Sequence, residues 1–235
     1  MSAFIGEFTG TMFLILLGNG VVANVVLNQT KGHNSGWIVI AFGWAIAVFT
    51  GVFISASASG AHLNPAVSLA LAVAGKLDWH LLPSYIIAQL TGAMVGQLLV
   101  WLTYKGHYDI TLETSSIHAT FCTAPAIRNR LQNLMTELIG TLVLVLGVLL
   151  MAAPSASLGA MDALPVSLLV LGIGLSLGGP TGYAINPARD LGPRLMHAVL
   201  PLKYKGDSDW SYSWIPIIGP LAGGVLAAVI YLLLQ

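Results

Sequence analysis

The chain has 235 residues, with nine basic and nine acidic side chains and a formal net charge of zero. Hydrophobic residues make up 56% and charged residues 8%, against roughly 25% charged in soluble domains, and mean hydropathy is +0.84, so water is not its main solvent. The neutral balance and the lack of a basic cluster argue against nucleic acid or an acidic partner, and the single cysteine, Cys122, excludes an internal disulfide.

In chain order, the first apolar stretch runs from Phe4 to Leu27. No Lys or Arg precedes it and it is too long for a cleavable signal, so it is expected to stay as a membrane span. Further stretches follow at Trp37 to Ser57, Leu81 to Tyr104, Leu131 to Ala153, Leu164 to Leu177 and Ile215 to Leu234, most of them near the ~20 residues a helix needs to cross a bilayer. The fifth is the weakest by length, being Gly-rich and running into Gly178-Gly179-Pro180. Two short apolar runs, Val67 to Ala74 and Leu191 to Leu200, are too short to cross and read as half-helices. Tyr108 to Ala126 is polar and reads as a vestibule, and Lys203 to Trp210 as a solvated loop. The predicted fold is an all-α membrane protein with six transmembrane helices and two half-helices.

Asn-Pro-Ala precedes each half-helix, at Asn64-Pro65-Ala66 and Asn186-Pro187-Ala188. One copy is an ordinary helix start, with Asn as N-cap and Pro at the first helical position. Two copies at matching places of an apolar chain are the mark of broken helices around a midplane site. Other matches keep the same order: Glu7-Phe8-Thr9-Gly10-Thr11 against Glu137-Leu138-Ile139-Gly140-Thr141, Ser59 to Ala66 against Thr181 to Ala188, and Gly92 against Gly223. Each unit has an odd number of spans, so residues 1–235 are expected to form one channel domain of two inverted repeats, about 1–104 and 131–235, joined by 105–130. Irregular backbone at membrane depth needs protein or a wet cavity around it, so the segments leading into the half-helices are expected to line a channel.

The ionisable groups inside this apolar frame carry two readings each. Glu7 and Glu137 lie within spans, where an unpartnered carboxylate is expensive; they either couple proton movement or satisfy non-helical backbone N–H groups, and their symmetric placement favours the second. His62 reads as a hydrogen-bonded loop residue because no second His or Cys stands at metal-ligand spacing. Arg189 lies directly after the second motif, which favours a pore role over interfacial snorkelling or pairing with Asp190. Arg194 reads as a half-helix end or a subunit contact. The Gly6/Gly10, Gly92/Gly96 and Gly219/Gly223 pairs read as helix-packing surfaces. No nucleophile with a paired base and no metal-ligand set is evident, so neither an enzyme nor a cofactor or metal is expected.

With these residues in hand, the chain resembles the major intrinsic protein family, the aquaporins and glycerol facilitators, over nearly its whole length. The resemblance rests on Ser59 to Val67, on Gly182 to Asp190 and on the two helix-borne glutamates. It implies two half-helices meeting at the midplane, a pore in each subunit, a homotetramer and an integral plasma-membrane location. It implies that Asn64 and Asn186 offer donors at the pore centre, with Pro65, Ala66, Pro187 and Ala188 starting the half-helices. It places a narrower constriction on Trp44, Gly174, Tyr183 and Arg189, where Arg189 gives fixed charge and Trp44 and Tyr183 an apolar corner. Water-selective relatives carry His at the position of Gly174, so its absence implies free space for a three-carbon solute. Asp190 after Arg189 is typical of the glycerol-conducting branch, whereas Tyr183 stands where glycerol facilitators commonly have Phe.

The expected function is a passive channel for water and small neutral solutes, glycerol first, with dihydroxyacetone, urea, hydrogen peroxide and protonated lactic acid as further candidates, excluding protons and ions. The alternatives are a secondary active transporter of a small hydroxylated solute and a structural membrane protein with a vestigial pore. The family topology puts Lys31, Lys105, Arg128, Arg130, Lys203 and Lys205 outside and only Lys76 inside, the reverse of the positive-inside tendency.

Overall fold

A backbone surrounded by hydrocarbon must satisfy its N–H and C=O groups within its own segment, and the long apolar runs accordingly fold into helices. A computed structural model describes residues 1–151 and 159–235. The long helices are α1 (Ala3–Val26), α2 (Trp37–Ser59), α4 (Leu82–Thr103), α7 (Arg130–Leu150), α8 (Leu164–Ser176) and α10 (Ile215–Leu233), and between them lie the half-helices α3 (Pro65–Val73) and α9 (Pro187–Val199). The connecting stretch 104–129 contains two short helices, α5 (Lys105–Ile110) and α6 (Thr114–Ala119). Among the described residues five helices are long and apolar enough to span; α8, the fifth long helix, has only 13 residues, about 20 Å at 1.5 Å per residue. Part of the expected fourth span, up to Ala153, lies outside the described residues.

Local chemistry sets the helix ends. Ser2 Oγ caps α1 by accepting from Ile5 N, Asn129 caps α7 by accepting from Gln132 N, and Gly60 ends α2 in the left-handed region at φ 81°. Both half-helices start with an Asn cap followed by Pro, where the missing N–H costs nothing. The surface is inside out relative to a soluble protein: Ile38, Phe42, Ile46 and Phe53 on α2 are exposed.

Two sets of helix contacts match each other. α1 packs on α4, and a Cβ on Gly92 would stand 2.3 Å from Phe8 O; α7 packs on α10, and a Cβ on Gly223 would stand 2.2 Å from Leu138 O. The other small residues of the three pairs also sit in close helix contacts, as the spacing predicts. The halves interlock, because α3 packs on α10 and α9 on α4.

The half-helix α9 is tied to its surroundings by a buried ion pair. Asp190 Oδ2 accepts from Thr123 N at 2.8 Å and Thr123 Oγ1 at 2.7 Å, and Asp190 Oδ1 accepts from Arg194 Nε at 2.8 Å. Arg194 also donates to Ser208 O, Asp209 O and Thr123 O. This corrects the reading of Arg194 as a subunit contact: its side chain is 0% exposed in a single chain and clips two outer loops to α9. The expected loop at Lys203 to Trp210 has Lys203, Gly206, Asp207 and Trp210 exposed, and it is also held by Arg194, by the His197 ring on Ser208 Oγ and Lys205 O, and by an Arg128 ion pair to Asp209. Beside this clip, burial and the Arg194 charge hold the His118 imidazole below its usual pKa, and its Nε2 lies 3.3 Å from Cys122 Sγ.

Two outcomes follow for stability. Gly223→Ala forces α7 and α10 apart and is expected to cost at least the roughly 1–3 kcal/mol of an overpacked core, lowering the thermal midpoint in detergent, whereas a Gly20→Ala control, in the interior of α1 where a Cβ meets nothing within 4 Å, does not lower it. Asp190→Asn leaves the Arg194 charge buried without a counter-charge and is expected to cost about 3–5 kcal/mol by the same measurement, with part recovered on adding Arg194→Met.

Candidate functional site

The chain before each half-helix is kept irregular by a carboxylate. Ala61 and Leu63 have φ of 54° and 53°, and Tyr183 and Ile185 have φ of 39° and 42°, left-handed values that cost side-chain-bearing residues energy unless the surroundings fix them. Glu7 fixes the first segment: its Oε1 accepts from His62 N at 2.9 Å and Ser59 Oγ at 2.6 Å, and its Oε2 from Leu63 N and Gln89 Nε2, both at 2.7 Å. Glu137 fixes the second by accepting from Thr181 Oγ1 at 2.6 Å, Ala184 N at 3.0 Å and Ile185 N at 2.8 Å. N–H and C=O point in opposite directions across a trans peptide, so the carbonyls of Ala61, His62, Tyr183 and Ala184 face away from the glutamates. They form two short rows of acceptors along the cavity that these residues line.

The two rows meet at the Asn pair. Asn64 Oδ1 caps α3 by accepting from Ala66 N, and its Nδ2 donates to Ile185 O at 2.7 Å. Asn186 Oδ1 caps α9 by accepting from Ala188 N and Arg189 N, and its Nδ2 donates to Leu63 O at 2.8 Å. Each amide has two N–H bonds, so one hydrogen per Asn is spent on the cross-brace and one is left for whatever occupies the cavity. Pro65 and Pro187 lie behind these caps as the first residues of α3 and α9, and both N-termini bring roughly half a positive charge to the junction.

An inner cavity of about 190 Å³ and an outer cavity of about 350 Å³ share three side chains, Trp44, Tyr183 and Arg189. Aliphatic groups such as Val48, Val52, Val148 and Val170 also line the inner cavity. At the shared point Arg189 is 7% exposed; its Cζ lies 4.3 Å from the Trp44 ring centroid and its Nη1 has no hydrogen-bond partner. Trp44 is therefore a platform for the guanidinium as well as an apolar wall. Asp190 is engaged by Arg194 and Thr123 rather than by Arg189. The Tyr183 hydroxyl is buried and also unpartnered.

Gly174 does not open free space. A Cβ there would stand 2.9 Å from Tyr183 Cζ and 3.0 Å from its hydroxyl, so the room left by the missing side chain is already filled by the Tyr183 ring, and Gly174 lines neither cavity. This corrects the expectation of a solute-sized gap. His62 lines the inner cavity with Nδ1 3.0 Å from Ser68 Oγ and its ring against Tyr85; no group of three metal-ligating side chains exists among the described residues. Gln89, Ser68, Thr181 and Thr123 complete the polar supports and were not evident from motif matching, because they act from other helices or loops. Of these, only Thr181, opposite Ser59 in the alignment of the two halves, carried a signal in the sequence.

Against known proteins, the profile described as Major intrinsic protein matches residues 1–231. The chain is 57% identical over 231 residues to the probable glycerol uptake facilitator protein of Thermotoga maritima, covering 98% of each chain. It is 40% identical over 228 residues to the D/L-lactic acid transporter of Lactiplantibacillus plantarum, covering 95% of this chain and 94% of that one. Its fold matches the X-ray structure of the aquaglyceroporin from Plasmodium falciparum with a TM-score of 0.86 at 36% identity, over 97% of this chain and 94% of that one. A helical frame exposing apolar side chains outward, two capped half-helices meeting inside it and this likeness from end to end agree: the chain belongs to the major intrinsic protein family of integral membrane channels and is not an enzyme.

Proposed function

We propose that this chain is a passive plasma-membrane channel for small uncharged hydroxylated solutes, glycerol first, with water passing by the same route. The observation that carries this reading is the pair of buried donors without protein partners, Arg189 Nη1 and the Tyr183 hydroxyl, at the point shared by the two cavities. A polyol offers oxygen acceptors to these donors and its own hydroxyls to the carbonyl rows, while its carbon edge lies on the aliphatic wall. The Arg189 charge and the two half-helix N-termini oppose cations, including protons. Glu7 and Glu137 have their oxygens occupied by backbone and side-chain donors, which favours a channel over proton-coupled transport. The glycerol uptake facilitator relatives support the same solute.

A second solute, lactic acid in its neutral form, is favoured by the unpartnered Tyr183 hydroxyl and by likeness to the lactic acid transporter. Its carbonyl would accept from both donors.

Proteoliposomes test both. Glycerol is expected to equilibrate faster than in empty liposomes and never to accumulate uphill under a proton gradient; accumulation, or equal rates with and without protein, overturns the reading. Lactic acid flux above the bare-lipid leak is expected to fall as pH rises past the acid's own pKa. Gly174→Ala drives a methyl into the Tyr183 ring and narrows the passage from that side; it is expected to lower glycerol permeability about tenfold more than water permeability, the scale of a methylene misfit in a pocket.

A further inference from the structure

Trp37 is absent from the constriction that the resemblance assigns, yet several contacts tie it to that point. It opens α2 and stands seven residues before Trp44, so both indoles fall on one helix face two turns apart, about 10 Å along the axis. Its ring meets the Tyr183 ring edge-on, with centroids 5.7 Å apart and planes at 78°. Its Nε1 donates to Gly174 O at 3.0 Å, a carbonyl in the last turn of α8, where no helical N–H follows to take it. A Cβ on Gly178 would lie 2.5 Å from Tyr183 Cδ1 and 2.9 Å from Trp37 Cζ2, so both rings fill the hollow left by that glycine. Trp37 also lines the outer cavity and is 39% exposed, unlike Trp44 and Tyr183 at 4% and 6%.

The Tyr183 hydroxyl makes no hydrogen bond, so packing alone fixes where the ring stands in the passage. Gly174 and Gly178 provide the hollow, and Trp37 is the side chain that closes it from outside. We infer that Trp37 is a positioning residue for solute selectivity, holding the Tyr183 ring in the constriction from the outer mouth while anchoring itself to the end of α8. With Trp37 removed, the Tyr183 ring is free to swing outward into the outer cavity, and the constriction widens and loses its preference among solutes. The inference rests on the proposed channel function.

The test is a two-by-two set in proteoliposomes, Trp37→Ala in the parent chain and in a Tyr183→Ala background, read as the ratio of glycerol to water permeability. In the parent, Trp37→Ala is expected to change this ratio about two- to tenfold, the worth of an aromatic edge contact expressed as a population ratio. In the Tyr183→Ala background it is expected to change nothing, because the ring it positions is gone. Trp37→Phe, which keeps an aromatic edge but no N–H donor, is expected to stay within about twofold of the parent. An unchanged ratio in the parent, an equal change in both backgrounds, or a Phe variant as impaired as the Ala variant overturns the inference. Should Trp37→Ala fail to fold, Trp37→Leu is measured in the same two backgrounds. A parent chain that conducts no glycerol above empty liposomes sinks the channel reading itself, whereas a selective parent insensitive to Trp37 sinks this inference alone.

Discussion

Two carboxylates on α1 and α7 hold open what hydrocarbon would otherwise forbid. Glu7 and Glu137 each bind two consecutive backbone N–H groups of a segment that is neither helix nor strand. An unpaired backbone donor at this depth costs several kcal/mol, so without them the segments before α3 and α9 would be driven toward regular structure. By taking the N–H groups on one side they turn the carbonyls to the other. The acceptors that line the cavity are thus a by-product of satisfying the donors behind them.

The cavity that results is divided by chemistry rather than by size. Polar atoms come from the carbonyl rows, the remaining Asn hydrogens, the His62 ring and Arg189, while valine and leucine side chains supply much of the remaining lining. Positive character is concentrated in Arg189 and the two half-helix ends, and the nearby carboxylates are already engaged by neighbouring donors. Arg189 itself is steadied by the face of Trp44, and its Nη1 has no protein partner at the point shared by the two cavities. The buried Asp190 to Arg194 pair serves a different purpose: it fixes α9, and with it Arg189, to the loops around Thr123 and Ser208.

Much of this frame was legible in the sequence. Six spans and two short interruptions follow from hydropathy and length, and the doubled Asn-Pro-Ala with matched glutamates placed the broken segments in register. The short fifth span was legible too, since its glycines interrupt an already brief apolar run. Features that depend on contact between distant segments were not. Arg194 read as a half-helix end or a subunit contact because, beyond Asp190, its partners lie 14 and 71 residues away at Ser208 and Thr123. Gly174 looked like an opening because a sequence shows which side chain is missing but not which neighbour fills the space; here Tyr183 does. Trp37 drew no notice because its role lies in an edge contact and a hydrogen bond spanning 137 positions.

The interlock of the halves bears on how the molecule comes into being. Asn64 is braced by Ile185, and α3 finds its main packing surface on α10, the last helix in the chain. During synthesis, the first re-entrant loop is made long before either support exists. Its Leu63 carbonyl and Asn64 side-chain amide, which pair only with the second half, must meanwhile be solvated by water or by the insertion machinery, and the lumen takes its final shape only when the final helix arrives.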